Sequence, residues 1–167
     1  MIQRRHGISS RKIYDPRLDS TQTDISGSGS HRLADSTTWA YSTNPALAVA
    51  DYLMNADFGL GVSSSKIDWA AIKTAADGCD VSVSVPGGTQ SRFTCNGVLF
   101  GTDSHKTNIN KLLSAMNGSI AYIDGYYVVK AGIHENPVVD LDEDDLSGSI
   151  SIKTSLERGD RFNTVKG

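Results

Sequence analysis

Proline is scarce in this chain, with four residues in 167, and cysteine scarcer still, with two. Cys79 and Cys95 are too few for a disulfide-built scaffold and lack the paired short spacing of a zinc site. Each reads as a small core residue, and sequence alone leaves a disulfide between them open. No apolar run approaches the ~18 residues that a membrane span needs. The start, Met1-Ile2-Gln3-Arg4-Arg5-His6, is basic but has no apolar segment behind it, which argues against a signal peptide. Positive charge is not in excess either. Formal net charge is -3, so the chain as a whole offers no electrostatic footprint for nucleic acid. The one basic cluster, Arg4, Arg5, Arg11, Lys12 and Arg17, reads as a solvated chain end.

Hydrophobic residues make up 38% of the chain, enough for a sizeable core in one domain with appendages. Composition divides the sequence in three. Residues 1–40 are rich in Ser, Thr, Gly and Asp around Gly27-Ser28-Gly29-Ser30, and only Lys12-Ile13-Tyr14 resembles a strand, so they read as an extended or flexible arm. Residues 41–135 alternate helix and strand signals and read as the compact domain. Residues 136–167 read as a linker and terminal strands, Ser149-Ile150-Ser151-Ile152 and Arg161-Phe162-Asn163-Thr164-Val165, of a neighbouring, truncated domain. A chain that stops directly after a strand reads as cut from something longer.

Within the middle segment, Asn44 is an expected N-cap and Pro45 an expected first helical residue. Ala46, Leu47, Ala50, Leu53 and Met54 then share one face, and Gly59 and Gly61 close the segment with a turn. Ser65-Lys66-Ile67-Asp68 has capping-box spacing ahead of Trp69, Ile72, Ala75 and Ala76, a second helix expected to stop near Gly78. Val81, Val83 and Val85 alternate with serine before Pro86-Gly87-Gly88, and Arg92 to Phe100 reads as their hairpin partner. Asp103 or Ser104 caps a third helix with Ile109, Leu112, Leu113 and Met116 as its stripe and Gly118 as its left-handed cap. Asp124-Gly125 between Ser119–Ile123 and Tyr126–Ala131 predicts a hairpin with a type I′ turn. Adjacent hairpins and about three short amphipathic helices predict an α+β fold with antiparallel sheet, not the parallel alternation of a nucleotide-binding fold.

No constellation of residues reads as an active site. The acidic run Asp140-Leu141-Asp142-Glu143-Asp144-Asp145 fails calcium-loop spacing, with Asp145 where Gly is needed and Ser151 where Glu is needed. Gly27-Ser28-Gly29-Ser30 lacks the Gly-Lys-Ser/Thr ending of a phosphate loop and reads as linker. Asp103-Ser104-His105 carries three triad residue types side by side, whereas a working triad converges from separate parts of a fold, so helix capping explains them. His6, His31 and His134 stand alone. A glycosidase pair would need two placed carboxylates. Its glutamates would come from Glu135, Glu143 and Glu157, while Asp51 and Asp77 lie on helices and read as solvent-facing. Tyr122, Tyr126 and Tyr127 cluster on the last hairpin, where cross-strand packing is the plain reading and an exposed binding face the sharper one. Catalytic, cofactor-binding and metal residues are therefore none.

The series Leu33-Ala34-Asp35-Ser36-Thr37-Thr38-Trp39-Ala40-Tyr41, Asn44-Pro45-Ala46, Asp51-Tyr52-Leu53, Phe58-Gly59-Leu60-Gly61, Gly78-Cys79-Asp80, Arg92-Phe93-Thr94-Cys95-Asn96-Gly97, Leu112-Leu113, Ile123-Asp124-Gly125-Tyr126 and Arg161-Phe162-Asn163-Thr164-Val165 resembles, in order, the tail-tip or baseplate-hub proteins of long-tailed bacteriophages, the lambda-type protein J group. The resemblance implies a non-enzymatic structural part of a virion or prophage tail, made in the bacterial host cytoplasm and acting in assembly and host attachment. It implies tube, distal-tail and tape-measure proteins as partners and a homotrimer of the full-length protein, with no cofactor, no nucleic acid and no membrane span. Family members are much longer than this chain. Two rivals stand beside this expectation: a tail-associated peptidoglycan hydrolase and a receptor- or glycan-binding module.

Overall fold

The computed structural model describes residues 5–7, 11–134 and 145. The chain divides into two compact units, Met1–Ile133 and His134–Gly167, and the fold described below is that of the first. Its regular elements are β1 (Arg5–Gly7), β2 (Lys12–Ile13), β3 (Ala40–Tyr41), α1 (Pro45–Met54), α2 (Trp69–Asp80), β4 (Ser82–Val85), β5 (Gly88–Ser91), β6 (Val98–Phe100), α3 (His105–Ser114), β7 (Ser119–Ile123) and β8 (Tyr126–Lys130), with short 3₁₀ turns between them. The strands pair antiparallel as β1–β6, β2–β3, β4–β5 and β7–β8. The class is α+β, as its alternation of helix and hairpin signals predicts.

Helix α1 is the centre. Asn44 accepts from the amides of Ala46 and Leu47 through its side-chain oxygen, and its amide group donates to the Ala76 carbonyl at 2.9 Å. One residue thus caps α1 and ties it to α2, while Pro45 at the first position leaves no amide unpaired. The periodicity predicts one buried face, yet every residue from Pro45 to Leu53 is buried. The helix is covered by α2, by α3 and by β2, and an all-round apolar helix such as Pro-Ala-Leu-Ala-Val-Ala is the kind that sits inside a core. After α1 the chain turns back on itself, with Leu60 and Val62 amides donating to the Tyr52 and Leu53 carbonyls. Gly59 is required at that return: a Cβ there would collide with the Tyr52 carbonyl oxygen.

The other two helices follow their signals with local changes. Asp68, not Ser65, caps α2 by accepting from the Ala71 amide, and Ser63 caps the 3₁₀ turn before it. The helix runs past Gly78 to Asp80, and a Cβ at Gly78 would meet the Cδ1 tip of the Ile133 side chain at 2.7 Å, so that tip would have to move. Ser104 caps α3. Its C-terminal end is a Schellman motif, with the Gly118 amide on the Leu113 carbonyl and the Asn117 amide on that of Ser114. The left-handed residue is Asn117 (φ 48°), not Gly118. Ile72, Ala76, Cys79, Leu112, Leu113, Met116 and Val129 join α1 in one core.

Two expectations are overturned. Residues 11–40 are not an arm. Ile13 and Tyr14 are 1% exposed, Asp15, Pro16, Asp19 and His31 are buried, and the Tyr14 ring meets Trp69 of α2 edge-on at 5.3 Å. Hydrogen bonding explains how so polar a segment folds. Asp19 accepts from the Tyr14 hydroxyl (2.8 Å), the Thr21 amide and hydroxyl, and Arg32, so its buried carboxylate is fully engaged. Desolvation pushes that carboxyl upward, but the Thr21, Tyr14 and Arg32 contacts outweigh it and hold it below the usual aspartate range. Gly27-Ser28-Gly29-Ser30 closes this loop against its start, with Ser28 donating to the Arg17 carbonyl and His31 to that of Leu18. A Cβ on Gly27 would run into the Asp19 carbonyl. The basic cluster is likewise engaged where described: Arg17 pairs with Asp15, Asp77 and Asp80, and Arg11 with Asp51.

The second correction concerns Arg92 to Phe100. The partner of β4 is the short β5, with Val85 opposite Gly88, and the chain from Arg92 to Gly97 is irregular before β6 pairs with β1. The two-residue return at Pro86-Gly87 uses positive φ at Gly87 (97°) and fixes the register; past β5 only the Arg92 and Phe93 amides still reach back, to the Val81 and Cys79 carbonyls.

Candidate functional site

The candidate site is the β7–β8 hairpin. Asp124 (φ 51°) and Gly125 (φ 90°) form the turn, and the register sets Ile123 opposite Tyr126, Tyr122 opposite Tyr127 and Ile120 opposite Val129. Alternation then gives the hairpin two faces. Ile120, Tyr127 and Val129 face the core. Ala121, Ile123, Tyr126 and Val128 share the other face, where Ile123 is 51% and Tyr126 49% exposed. Tyr122, on the inner face but past the edge of the core, is 57% exposed. A sheet normally carries polar residues on its solvent side; here the four residues nearest the turn are Ala121, Ile123, Tyr126 and Val128, and the polar Ser119 and Lys130 lie on the same face at the far end.

The outer edge of β8 is partly taken, since Ile67 bridges to Tyr127 and the Asp68 amide donates to the Tyr127 carbonyl at 3.1 Å. β7 has no strand on its outer edge among the described residues. An apolar face beside an open strand edge suits docking of another polypeptide. It suits a sugar less well: the Tyr122 and Tyr127 rings are 4.9 Å apart but inclined at 58°, so they offer no common flat platform.

The remaining candidates are drawn to separate partners. Asp103 binds Lys111 (2.6 Å), Ser104 caps α3, and His105 Nδ1 lies 2.9 Å from the Tyr52 hydroxyl. His31 is buried and accepts from the Asp15 amide. His134 is exposed at the end of the described run. The side chain of His6, together with Glu135, Glu143, Glu157 and all of the acidic run except the exposed Asp145, lies outside the described residues. Asp77 is exposed and bound by Lys73 and Arg17.

Asp51 departs from expectation. It is 7% exposed, not solvent-facing, because α1 is buried all round. Burial pushes its carboxyl up, and the Arg11 guanidinium, 2.8 Å from Oδ2, offsets this only in part. Nothing in its sequence spacing marks it, since an aspartate on a helix is ordinarily exposed. Cys79 and Cys95 are free and buried, each pushed up to about 11 by desolvation, and so are inert packing residues. Among the described residues no group of three or more His, Cys, Asp or Glu could hold a metal ion, and no helix is long and apolar enough to cross a membrane. No protein-family model matches this chain, and no curated protein matches it.

Proposed function

We propose that this chain is a non-enzymatic structural module of a bacteriophage or prophage tail tip or baseplate hub, working in tail assembly and host attachment within the virion tail. The observation that carries the reading is the outer face of β7–β8 with Ala121, Ile123, Tyr126 and Val128, beside an edge of β7 that no strand pairs among the described residues. A second support is the use made of the ordered residue series that resembles the hub family. Asn44-Pro45 starts the central helix, Gly59 permits the close return of the chain, Cys79 and Cys95 fill the core, and Asp124-Gly125 makes the turn. These are roles in building a stiff body. The partners on this reading are tube, distal-tail and tape-measure proteins, with trimerisation in the full-length protein.

Immunogold electron microscopy tests it directly. Antibody raised to this chain, applied to phage particles released by the host that encodes it, is expected to mark the tail tip. Labelling confined to heads or to particle-free cell debris would overturn the proposal, and loss of turbidity when the purified chain meets peptidoglycan would replace it with the hydrolase reading.

A further inference from the structure

The dipeptide Asn-Gly occurs twice in this chain, at Asn96-Gly97 and Asn117-Gly118, and the fold treats the two differently. An asparagine side chain closes a ring on the next backbone nitrogen most readily when glycine follows, because no Cβ blocks the approach. The closure needs a glycine amide that is not hydrogen-bonded and an asparagine side chain able to swing over it.

At Asn96-Gly97 both conditions hold. Asn96, Gly97 and Val98 are all exposed, where an irregular stretch runs into β6. Among the described residues the Gly97 amide donates to no carbonyl, and no hydrogen bond holds the Asn96 side chain. A Cβ built on Gly97 would meet nothing within 4 Å. The pair lines an open groove of about 270 Å³ with Thr94, Val98 and Lys111, so water reaches it. The anchors lie outside the pair: the Cys95 amide donates to the Thr43 carbonyl at 2.8 Å, and Val98 stands opposite Gly7 of β1.

At Asn117-Gly118 neither condition holds. The Gly118 amide donates to the Leu113 carbonyl at 2.9 Å within the Schellman motif that ends α3. Asn117 is fixed in the left-handed region, and its side chain lies against Gly132, where a built Cβ would come within 2.8 Å of Nδ2. A Cβ on Gly118 would run into the Lys130 carbonyl oxygen at 2.6 Å.

We propose that Asn96 is a site of spontaneous covalent modification, converted through a succinimide with Gly97 to aspartate and isoaspartate, while the hydrogen-bonded turn keeps Asn117 intact. The Gly97 nitrogen gives its proton to solvent base and attacks Asn96 Cγ. A C–N bond forms there, the Cγ–Nδ2 bond breaks, and Nδ2 leaves as ammonia. Water then opens the ring at either carbonyl, and no oxidant or reductant takes part. Proximity favours this attack over direct hydrolysis of the side-chain amide. Each conversion replaces a neutral amide by a carboxylate, and the isoaspartyl product lengthens the main chain by one carbon directly before β6. The folded chain thus carries a mark of its age beside the strand that pairs with β1. This inference does not depend on the tail-tip reading.

The test incubates the full folded chain at mildly alkaline pH beside a sample held in urea, followed by proteolysis at acid pH and mass spectrometry of the peptides. In the folded chain the Asn96 peptide is expected to exchange NH₂ for OH at least tenfold faster than the Asn117 peptide, to split into aspartyl and isoaspartyl forms, and to convert faster as pH rises. In urea the two peptides are expected to convert at similar rates. Gly97→Ala, at a position with open space and no positive φ, is expected to slow Asn96 conversion at least tenfold while leaving the melting temperature unchanged. An Asn96 that persists in the folded chain while the urea sample converts would overturn the proposal. So would equal rates at the two sites in the folded chain, a product without isoaspartate, or undiminished conversion in Gly97→Ala. A tenfold difference that persists in urea would place its cause in local sequence and overturn the role given to the fold.

Discussion

Two segments of this molecule behave against their composition. The loop from Tyr14 to Arg32 is rich in serine, threonine, glycine and aspartate, yet it buries Tyr14, Asp15, Asp19 and His31. The hairpin from Ser119 to Lys130 is built of isoleucine, valine and tyrosine, yet it leaves Tyr122, Ile123 and Tyr126 about half exposed. The first is held inward by satisfied hydrogen bonds, and the second presents a surface that its own chain, as described, does not cover. Polar composition therefore marks neither disorder nor a surface when each buried polar atom finds a partner. Apolar composition marks burial only if something lies above it.

Truncating Tyr14 should break the inward side of this comparison most severely. Tyr14→Ala removes a fully buried ring that touches Trp69 and Trp39, and urea unfolding is expected to register a loss of about 3–5 kcal/mol. A loss well under about 1 kcal/mol would mean that the loop is an appendage after all. Asp19→Ala comes next. It strands the buried Tyr14 hydroxyl, at an expected cost of roughly 1–3 kcal/mol.

The two buried aspartates sharpen the contrast through pH. The Asp19 carboxyl is held below its ordinary value, so its stabilisation is present above about pH 4 and is lost as pH falls through the lowered value. The Asp51 carboxyl is raised, so the native state binds the extra proton. Stability from that site is greatest below about pH 4 and declines as pH rises toward the raised value. Thermal melts across pH 2–7 are expected to show Asp19→Asn losing acid sensitivity at the low end and Asp51→Asn losing the decline at the upper end. The same direction of change in both variants would contradict the assignment.

The smallest stability effect is expected at the hairpin. Ile123→Ser with Tyr126→Ser removes one exposed cross-strand pair and should cost less than about 1 kcal/mol. On the proposed tail role its consequence is expected in assembly: pull-down of phage tail proteins from infected cells should fall severalfold. Unchanged recovery would remove the hairpin from the interface.

Much of the fold was legible because its signals are local. Asn44-Pro45, Ser104 and Asp124-Gly125 each act within four residues, and each stands where the pattern put it. What sequence hid depended on distant neighbours. Nothing near Asp51 says that β2, α2 and α3 will cover every side of its helix. The inward fold of residues 11–40 did leave a trace. Asp19-Ser20-Thr21 and Asp35-Ser36-Thr37 repeat one tripeptide, and in both the aspartate accepts from the threonine amide and hydroxyl two residues on. Such Asx turns order a chain without apolar content, and the repeat was the available clue. For the candidate site, the tyrosine cluster was visible from spacing, whereas its exposed apolar face required the register.

Hydrogen–deuterium exchange on the free chain and on the chain in the proposed tail assembly compares the two segments in one measurement. The account predicts that Tyr14–Arg32 amides are protected in both states, while those of Ile120 and Tyr122, which the β7–β8 register turns to the outer edge of β7, become protected only on assembly. Fast exchange from Tyr14 to Arg32 in the free chain, or Ile120 and Tyr122 amides that exchange alike in both states, would contradict it.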